Sequence, residues 1–401
     1  RYASMLVASL NEELKECVDE VHKTFRPKKI ITPIQPVRTK AGKISKMAKR
    51  LDTDKNIRLT ADEYAEALAS DGAELERVEY EPFNLGSRKQ IGEYLIEFGW
   101  KPKKFTPTNQ PIVDESTLEG ITNIPEAAMI ARYLMLQKRV AQIQSWIEAV
   151  EPDDRVRGYV NTNGAVTGRM THSKPNMAQI PSTNSPYGKE CRSCWIVPEG
   201  YKLVGIDASG LELRMLAHYM NDGDFTNEIL NGDIHSANQR AAGLESRNQA
   251  KTFIYALLYG AGDAKLGSIT GGGAKEGGRL RDNFFANLPA FKHLKDRVAR
   301  ASQKGWIKGL DGRKVFVRSE HSALNTVLQS AGAIVMKAAL VLLERYIREA
   351  GYDAHFVCNI HDEWQIEVRE DQAESVGKLG VKAIQDAGNM LNLHCRLDGE
   401  Y

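Results

Sequence analysis

Two aspartates lie where carboxylate chemistry is possible. Asp207 follows the apolar strand candidate LVGI at 203–206, and Asp362 lies within the alternating segment 355–368, where a turn would join two strands. If these strands pair, the two carboxylates share a site for divalent ions ~3.5–4 Å apart, a geometry that activates a hydroxyl and stabilises a leaving phosphate. Hard carboxylate oxygens favour magnesium as that ion. Taken alone, each aspartate fits equally well as a turn residue or a helix cap.

A second set of polar residues recurs at every fourth position of one predicted helix. Ser246 and Gln249 have the spacing of a capping box, which predicts a helix that starts at about Arg247. The stripe along this helix consists of Arg247, Lys251, Tyr255 and Tyr259. Because such residues advance only about 40° per step, two cations and two aromatic rings share one face. Cations in the first turns suit a triphosphate, and the first tyrosine suits a stacked base or sugar. A solvated cationic face with buried tyrosines is the alternative.

Other polar residues carry hydrogen-bonding groups that suit a nucleic acid. The Gly-rich segment NTNGAVTGR ends at Arg169, and Asn325 and Gln329 share one face of a predicted helix. Such groups fit the acceptors of the minor groove, which look alike for every correct base pair, so they allow inspection without reading sequence. His235 lies four residues before a glutamine and could contact phosphate, although a histidine in such a pair is more often structural.

A strongly basic segment lies near the start of the chain. The net charge is only +2, yet residues 26–58 contain 11 Lys and Arg against 2 Asp. Three prolines and little helical periodicity predict an extended insertion over about 26–80 that could lie along an anionic polymer, with a solvated loop without function as the alternative. Further on, Ser87 and Lys89 stand at a predicted helix start, where phosphate could be held.

The composition, 42% hydrophobic and 26% charged, is that of a globular protein, and 401 residues predict two or three subdomains. No stretch approaches the roughly 18 uncharged apolar residues of a membrane span, and residues 1–30 are too charged for a secretory signal. We therefore expect a cytoplasmic protein with no membrane partner. The five cysteines are too sparse for a disulfide framework, and the lone CxxC at 191–194 lacks a second ligand pair for zinc.

Helical patterns occur in three parts of the chain before residue 310. Two of them, at 1–25 and 125–150, flank the basic segment and predict a pair of long helices. The third runs from about 216 to 309 and is interrupted by GGGAKEGG at 271–278. We interpret this interruption as a flexible linker, because it lacks the GK[ST] ending of a phosphate-binding loop.

Sheet-forming patterns occur in two separated stretches. Short apolar runs and Gly-rich turns begin near a boundary at 151, and after 310 a long predicted helix at 321–348 precedes the alternating segment. A sheet built from two stretches, with a helical excursion between them, implies that 151–215 and 310–401 form one domain. The expected fold class is α+β.

Four motifs stand in order along the chain: TGR at 167–169, DASGLELR at 207–214, RNQAKTFIYALLYG at 247–260 and HDE at 361–363. Together they resemble the motifs of DNA polymerase family A, the Klenow-fragment-like enzymes. The similarity is greatest to the replicative polymerases of short-tailed bacteriophages, which carry DASGLE where bacterial repair enzymes tend toward DYSQIE and which have a thumb insertion. The resemblance implies a right-hand polymerase fold with an antiparallel-sheet palm, helical fingers and a helical thumb.

By this resemblance, 1–150 is the thumb with an insertion at about 26–80, 151–215 and 310–401 are the palm, and 216–309 is the fingers. The implied activity is template-directed addition of deoxynucleoside triphosphates to a primer 3′ end by two-magnesium nucleotidyl transfer, in a phage-infected bacterium. The family's exonuclease would precede residue 1 and no second carboxylate set replaces it, so we expect no proofreading. The insertion would dock a thioredoxin-like processivity factor.

The resemblance also assigns a role to each candidate residue. The metal site would consist of Asp207, Asp362 and the carbonyl of Ala208, with Glu363 in support. The nucleotide set would be His235, Arg247 and Lys251 on the triphosphate, Glu212 as the gate against a ribose 2′-hydroxyl, and Tyr255 on the sugar and base. The primer–template set would be Arg169, Tyr259, Asn325, Gln329 and His361, to which we add Ser87 and Lys89.

Two other functions fit parts of the sequence. A single-subunit RNA polymerase shares the fold and the metal chemistry, but Glu212 at the gate and the HDE triplet favour deoxynucleotides. A non-catalytic, polymerase-like DNA-binding subunit would not need the metal and triphosphate residues, all of which are present. Primer extension and a comparison of the two sugar types separate these functions.

Overall fold

In a computed structural model that describes residues 1–401, the chain divides into two compact units, 1–148 and 149–401. This division falls close to the boundary expected near residue 151. Each unit has its own hydrophobic core. The names thumb, palm and fingers stay predictions for these segments.

The first unit combines two long helices with a small sheet and three shorter helices. Its elements are α1 (Tyr2–Thr24), β1 (Lys28–Arg38), β2 (Ile44–Arg50), β3 (Asn56–Arg58), α2 (Ala61–Ala69), β4 (Leu75–Glu81), α3 (Arg88–Glu97), α4 (Glu115–Glu119) and α5 (Pro125–Glu148). As the helical patterns predict, α1 and α5 are long helices that pack together. Phe25, just after α1, packs edge-on against Phe83 with ring centroids 5.1 Å apart, and both are buried.

The basic insertion is a folded module, so the expectation of an extended segment is wrong. Its four antiparallel strands lie in the order β3-β2-β1-β4, and α2 packs against one face of this sheet. Thr32, Ile34 and Pro36 point inward along β1, because successive strand residues alternate between the two faces. A lack of helical periodicity is equally compatible with paired strands, whose two-residue pattern this segment carries. The first residue of β1, Lys28, pairs with the last of β4, Glu81.

The second unit contains the remaining elements. They are β5 (Tyr159–Asn161), β6 (Thr171–Ser173), α6 (Gly188–Ser193), β7 (Tyr201–Ala208), α7 (Leu211–Met220), α8 (Gly223–Asn231), α9 (Ile234–Ala242), α10 (Arg247–Leu258), α11 (Asp263–Gly267), α12 (Ala274–Asn287), α13 (Pro289–Ser302), β8 (Trp306–Lys308), β9 (Lys314–Phe316), α14 (Ala323–Ala350), β10 (Ala354–Ile360), β11 (Glu363–Arg369), α15 (Ala373–Met390) and β12 (Gly399–Glu400). Four short 3₁₀ turns connect some of them.

One antiparallel sheet unites the two sheet-forming stretches, as the sequence predicts. Its strand order is β10-β11-β7-β12, so a strand from the first stretch lies between strands of the second. Helix α15 covers this sheet so closely that a Cβ added to Gly380 would lie 2.3 Å from Ile206. Buried Glu367 of β11 is paired by Arg155, whose guanidinium donates to both carboxylate oxygens at 3.1 and 2.9 Å. The α+β class is therefore confirmed.

The core helix α14 also meets the criteria for a membrane span. Residues 320–350 are long and apolar enough, although the sequence was expected to contain no such stretch. Within its most apolar window, 72% is buried inside the protein. The apolarity of this helix is thus explained by packing on all sides, including a close contact between Gly332 and Leu211.

The interpretation of 271–278 as a flexible linker is wrong for its second half. Helix α12 begins at Ala274 and includes the two following glycines. A Cβ added to Gly277 would lie 1.8 Å from the carbonyl oxygen of Asp263, so a side chain there would clash with α11. Gly277 therefore serves the close packing of two helices, which composition alone does not distinguish from flexibility.

Glu63 of the insertion joins a helix start to a strand. Its carboxylate accepts a 2.8 Å bond from the amide of Thr60, completing a capping box at the start of α2. It also accepts two bonds from Arg77 on β4, at 2.7 and 2.6 Å. The Arg77 guanidinium, more than any other group, lowers the pKa of Glu63 from 4.5 to about 2. A lowered carboxyl pKa means that the ionised form stabilises the fold above pH 4.5, and that this contribution is lost as the pH falls toward 2.

We predict that Glu63→Gln destabilises the insertion by about 1–3 kcal/mol at pH 7, because it removes a charge-assisted bidentate pair between partly buried side chains. Hydrogen exchange of the β1 and β4 amides, compared with the parent protein at each pH, should show faster opening at pH 7 and a difference that shrinks below pH 4.5. Glu66→Gln, at an exposed position on the same helix, is the control. Equal protection in the two variants at pH 7 would contradict the prediction.

Candidate active site

The pairing of β7 with β11 brings the predicted carboxylates to one end of the sheet. Asp207 lies opposite Glu363 in the register, and the amide of Ala208 donates to the carbonyl of Asp362 at 3.0 Å. Asp362 belongs to the turn between β10 and β11, in which His361 has a left-handed φ of 55°. The structure thus places Asp207, Asp362 and Glu363 side by side.

Negative charge is concentrated at this end of the sheet. The pKa of Asp207 is raised from 3.8 to about 6, mainly by burial and then by the neighbouring carboxylates of Asp362, Glu363 and Glu400. A divalent cation would offset this repulsion, and the carboxylates and the Ala208 carbonyl are the hard oxygen donors that magnesium prefers. No group of three or more His, Cys, Asp and Glu side chains is arranged to hold a metal. An ion here would depend on two aspartates, a backbone carbonyl and oxygens from a substrate.

Glu212 forms the centre of a second polar cluster. It lies in the first turn of α7, where its carboxylate is 3.6 Å from the guanidinium of Arg169 and accepts a 3.4 Å bond from the hydroxyl of Tyr259. Burial raises the pKa of Glu212, and Arg169 opposes this effect. The pKa of Tyr255 is raised by burial and then by Glu212, Tyr259 and Asp362. Glu212, Tyr255 and Asp362 therefore influence one another electrostatically.

Helix α10 begins as the sequence predicts. The Ser246 hydroxyl accepts from the amide of Gln249 at 3.2 Å, and the Gln249 side chain accepts from the amide of Ser246 at 3.2 Å, so the capping box is confirmed. The buried face of the helix contains Phe253, Ile254 and Leu257. The opposite face leaves Lys251 exposed and Tyr255 half-buried.

Comparison with known proteins shows the family to which the chain belongs. The sequence model of DNA polymerase family A matches residues 54–401. The chain belongs to DNA polymerase family A. It is 43% identical to the DNA-directed DNA polymerases of Enterobacteria phage T3 and Escherichia phage T7, over 82% of this chain and 53% of each relative. It is also 28% identical to DNA polymerase I of Pseudomonas aeruginosa, over 80% of this chain and 38% of that protein. The chain thus spans about half the length of the phage relatives.

A solved structure similar to this family A chain is the POL domain of Pol1 from M. smegmatis in complex with DNA primer-template and dNTP. The match has a TM-score of 0.79 at 19% sequence identity, and covers 100% of this chain and 65% of the other. This similarity confirms the right-hand polymerase fold that the motifs imply.

The triphosphate candidates of the family A chain lie on two adjacent helices. His235 is in the first turn of α9, and its pKa is lowered by burial and then by Arg247 and Lys251, so the three side chains are neighbours. The ring of His235 lies 6.4 Å from that of Tyr255. Arg247 is not unpaired, because its Nε donates to Asp233, the N-cap of α9, at 2.7 Å. Sequence analysis missed Asp233.

The primer–template candidates fall into three places. Arg169 and His361 line one small cavity, together with Lys337 and Asn359, which the sequence analysis did not single out. Asn325 and Gln329 are half-buried on α14, and Gln329 partly opposes the rise that burial causes in the pKa of Tyr259. Ser87 and Lys89 lie in the first unit. There the Ser87 hydroxyl caps α3 by accepting from the amide of Gln90 at 3.3 Å, a role that needs no DNA.

The C-terminal residues complete the carboxylate end of the sheet. Glu400 lies opposite Asp207 on β12, and the amide of Ser209 donates to the carbonyl of Asp398 at 3.0 Å. Sequence analysis missed this strand because two residues are too few to show a periodic pattern. The only sequence signal is the acidic pair in DGE at 398–400.

Proposed function

We propose that this family A chain is a template-directed DNA polymerase that adds deoxynucleotides to a primer 3′ end. The observation that carries the proposal is the convergence of Asp207 and Asp362 at the end of one sheet, beside Glu212 and the polar stripe of α10. The similar phage proteins are named DNA-directed DNA polymerases, and the similar POL domain was solved with primer-template and dNTP. Both facts support the proposed substrates.

In this proposal Asp207, Asp362 and the Ala208 carbonyl hold two magnesium ions, with Glu363 in support. When bound, such ions activate the primer hydroxyl and stabilise the departing pyrophosphate. The partly buried position of Asp207 strengthens its attraction for cations, because charges interact more strongly away from bulk water. The proposed reaction proceeds without proofreading, since the sequence shows no second group of carboxylates that would form an exonuclease site.

The incoming nucleotide would lie along α10 and α9. Arg247, Lys251 and His235 provide positive or hydrogen-bonding groups for the triphosphate near the start of both helices. Tyr255 would pack on the sugar and base, and Glu212 beside it would crowd the 2′ position of a ribose. The proximity of these two side chains, seen in the raised pKa of Tyr255, supports this arrangement.

The primer–template would contact polar groups around these helices. Arg169, His361, Asn325, Gln329 and Tyr259 are proposed to contact its end, with Ser87 and Lys89 on the duplex. The exposed side chains of the basic insertion would contact DNA or a thioredoxin-like processivity factor. The proposed place of action is the cytoplasm of a phage-infected bacterium.

Removal of either central aspartate tests the proposal directly. Asp207→Ala or Asp362→Ala should lower the rate of primer extension by about a thousandfold or more, because ion-assisted activation supplies several kcal/mol. Binding of primer–template should largely survive, since contacts with phosphates elsewhere dominate affinity. A primer-extension gel and a DNA titration measure the two effects, with Asp224→Ala at an exposed position on α8 as control. Extension near the parent rate in either variant would refute the assignment.

The sugar gate gives a second prediction. Glu212→Ala should reduce discrimination against ribonucleotides by about ten- to a hundredfold, because it removes the side chain that crowds the 2′ position. The measurement is the ratio of kcat/KM for deoxynucleotides and ribonucleotides, with Glu245→Ala in the exposed loop before α10 as control. An unchanged ratio contradicts the gate. A parent protein that prefers ribonucleotides favours the RNA polymerase alternative.

The insertion gives a third prediction. Replacing residues 26–80 with a short flexible linker should shorten the product made per binding event. It should also weaken the salt dependence of DNA binding, so that the slope of log K against log salt concentration becomes shallower by about one for each phosphate that the insertion neutralises. Lys43→Glu with Lys55→Glu, two exposed lysines without an ion pair, is the milder variant. Product lengths under single-encounter conditions that do not change with added thioredoxin would reject that partner, and an unchanged salt slope would reject the role in DNA binding.

A further inference from the structure

The arginine proposed for the triphosphate already has an anionic partner within the protein. The Nε of Arg247 donates to Oδ2 of Asp233 at 2.7 Å. The same carboxylate begins α9, since Oδ1 accepts from the amide of His235 at 3.1 Å and Oδ2 accepts from the hydroxyl of Ser236 at 2.7 Å. Asp233 therefore has two local donors in addition to the guanidinium.

The geometry of this pair allows Arg247 to exchange partners. The side chains of Arg247 and Asp233 are 53% and 41% exposed, and ion pairs in such contact with solvent are weak. The two terminal nitrogens of Arg247 donate to no protein group, so they remain available to a ligand. If the guanidinium turned to a phosphate, the bonds from His235 and Ser236 would still satisfy Asp233.

We propose that Asp233 is a placeholder for nucleotide phosphate, which competes with the triphosphate for Arg247. This inference rests on the proposed function, because it takes Arg247 to be a triphosphate ligand. The carboxylate holds the guanidinium at the start of α10 until a ligand replaces it. A triphosphate that takes Arg247 has to break this ion pair, so the pair lowers its affinity by up to the free energy of the pair. A monophosphate carries less charge to draw Arg247 away, so its affinity depends less on the pair.

Asp233→Asn separates the charge of this residue from its other role. Asparagine is as good an N-cap as aspartate, so α9 keeps its start while the competing negative charge is removed. Asp222→Asn is a matched control, because Asp222 is the N-cap of neighbouring α8, accepting from the amide of Phe225 at 2.8 Å, and has no arginine partner. If Asp233 instead only positioned Arg247, the same substitution would weaken nucleotide binding.

The test measures nucleotide binding without bond formation. The full chain is bound to primer–template with a dideoxy-terminated primer, and the next correct deoxynucleoside triphosphate or monophosphate is titrated. Asp233→Asn should lower the Kd of the triphosphate about two- to fivefold, the range expected from a solvent-exposed ion pair, and that of the monophosphate by a smaller factor. The gain should shrink at high salt, and Asp222→Asn should leave both values unchanged.

An unchanged or higher Kd for the triphosphate in Asp233→Asn, relative to Asp222→Asn, overturns the inference. If that variant does not fold, Asp233→Ser retains a capping hydroxyl without the charge and the same outcomes apply. Primer extension by the parent chain, measured in parallel, separates failure of this inference from failure of the proposed function. A parent that neither extends primers nor binds the triphosphate refutes the proposed function and this inference with it, whereas an active parent with an unresponsive Asp233→Asn refutes this inference alone.

Discussion

The antiparallel register between β7 and β11 is the constraint on which the rest of the site depends. Ile206 pairs with Trp364 and Val204 with Ile366, and all four side chains are buried. Because strand residues alternate between two faces, a slip of one residue would expose this apolar set and turn Asp207 to the other face. The apolar core therefore fixes the carboxylate positions more firmly than any polar contact among them. Chemistry at the sheet end is a consequence of packing beneath it.

In helix α10, too, one set of residues packs in the core and another set carries the polar groups. Phe253 and Ile254 secure one face in the core, and the capping box fixes where the helix begins. These contacts fix the position of the polar face relative to Asp233 and Glu212, so no ligand is needed to order it. One of its two cations, Arg247, is paired with the carboxylate of Asp233, which reduces the positive charge of this face.

Sequence patterns correctly predicted the elements that depend on residues close together in the chain. The capping box at Ser246, the long helix α14 and the strands on either side of Asp362 all follow from short-range patterns, and the structure has each of them. The glycine error and the missed residues have a common cause. The sequence does not show that the backbone of Asp263 leaves no room for a side chain at Gly277. Likewise Asp233 and Glu400 are joined to the site by tertiary pairing, which no spacing along the chain reveals.

The insertion of the first unit begins and ends with two residues that pair with each other. Since Lys28 lies opposite Glu81, the ends of this module are neighbours, and the distance between the flanking segments does not depend on what lies between them. Its core, which contains Ile34, Ile44, Ala48, Leu59, Ala67 and Leu75, is separate from the cluster around Phe25 and Phe83. Such a module is a cassette: evolution or an engineer can exchange it for another closed module while the host helices keep their own packing.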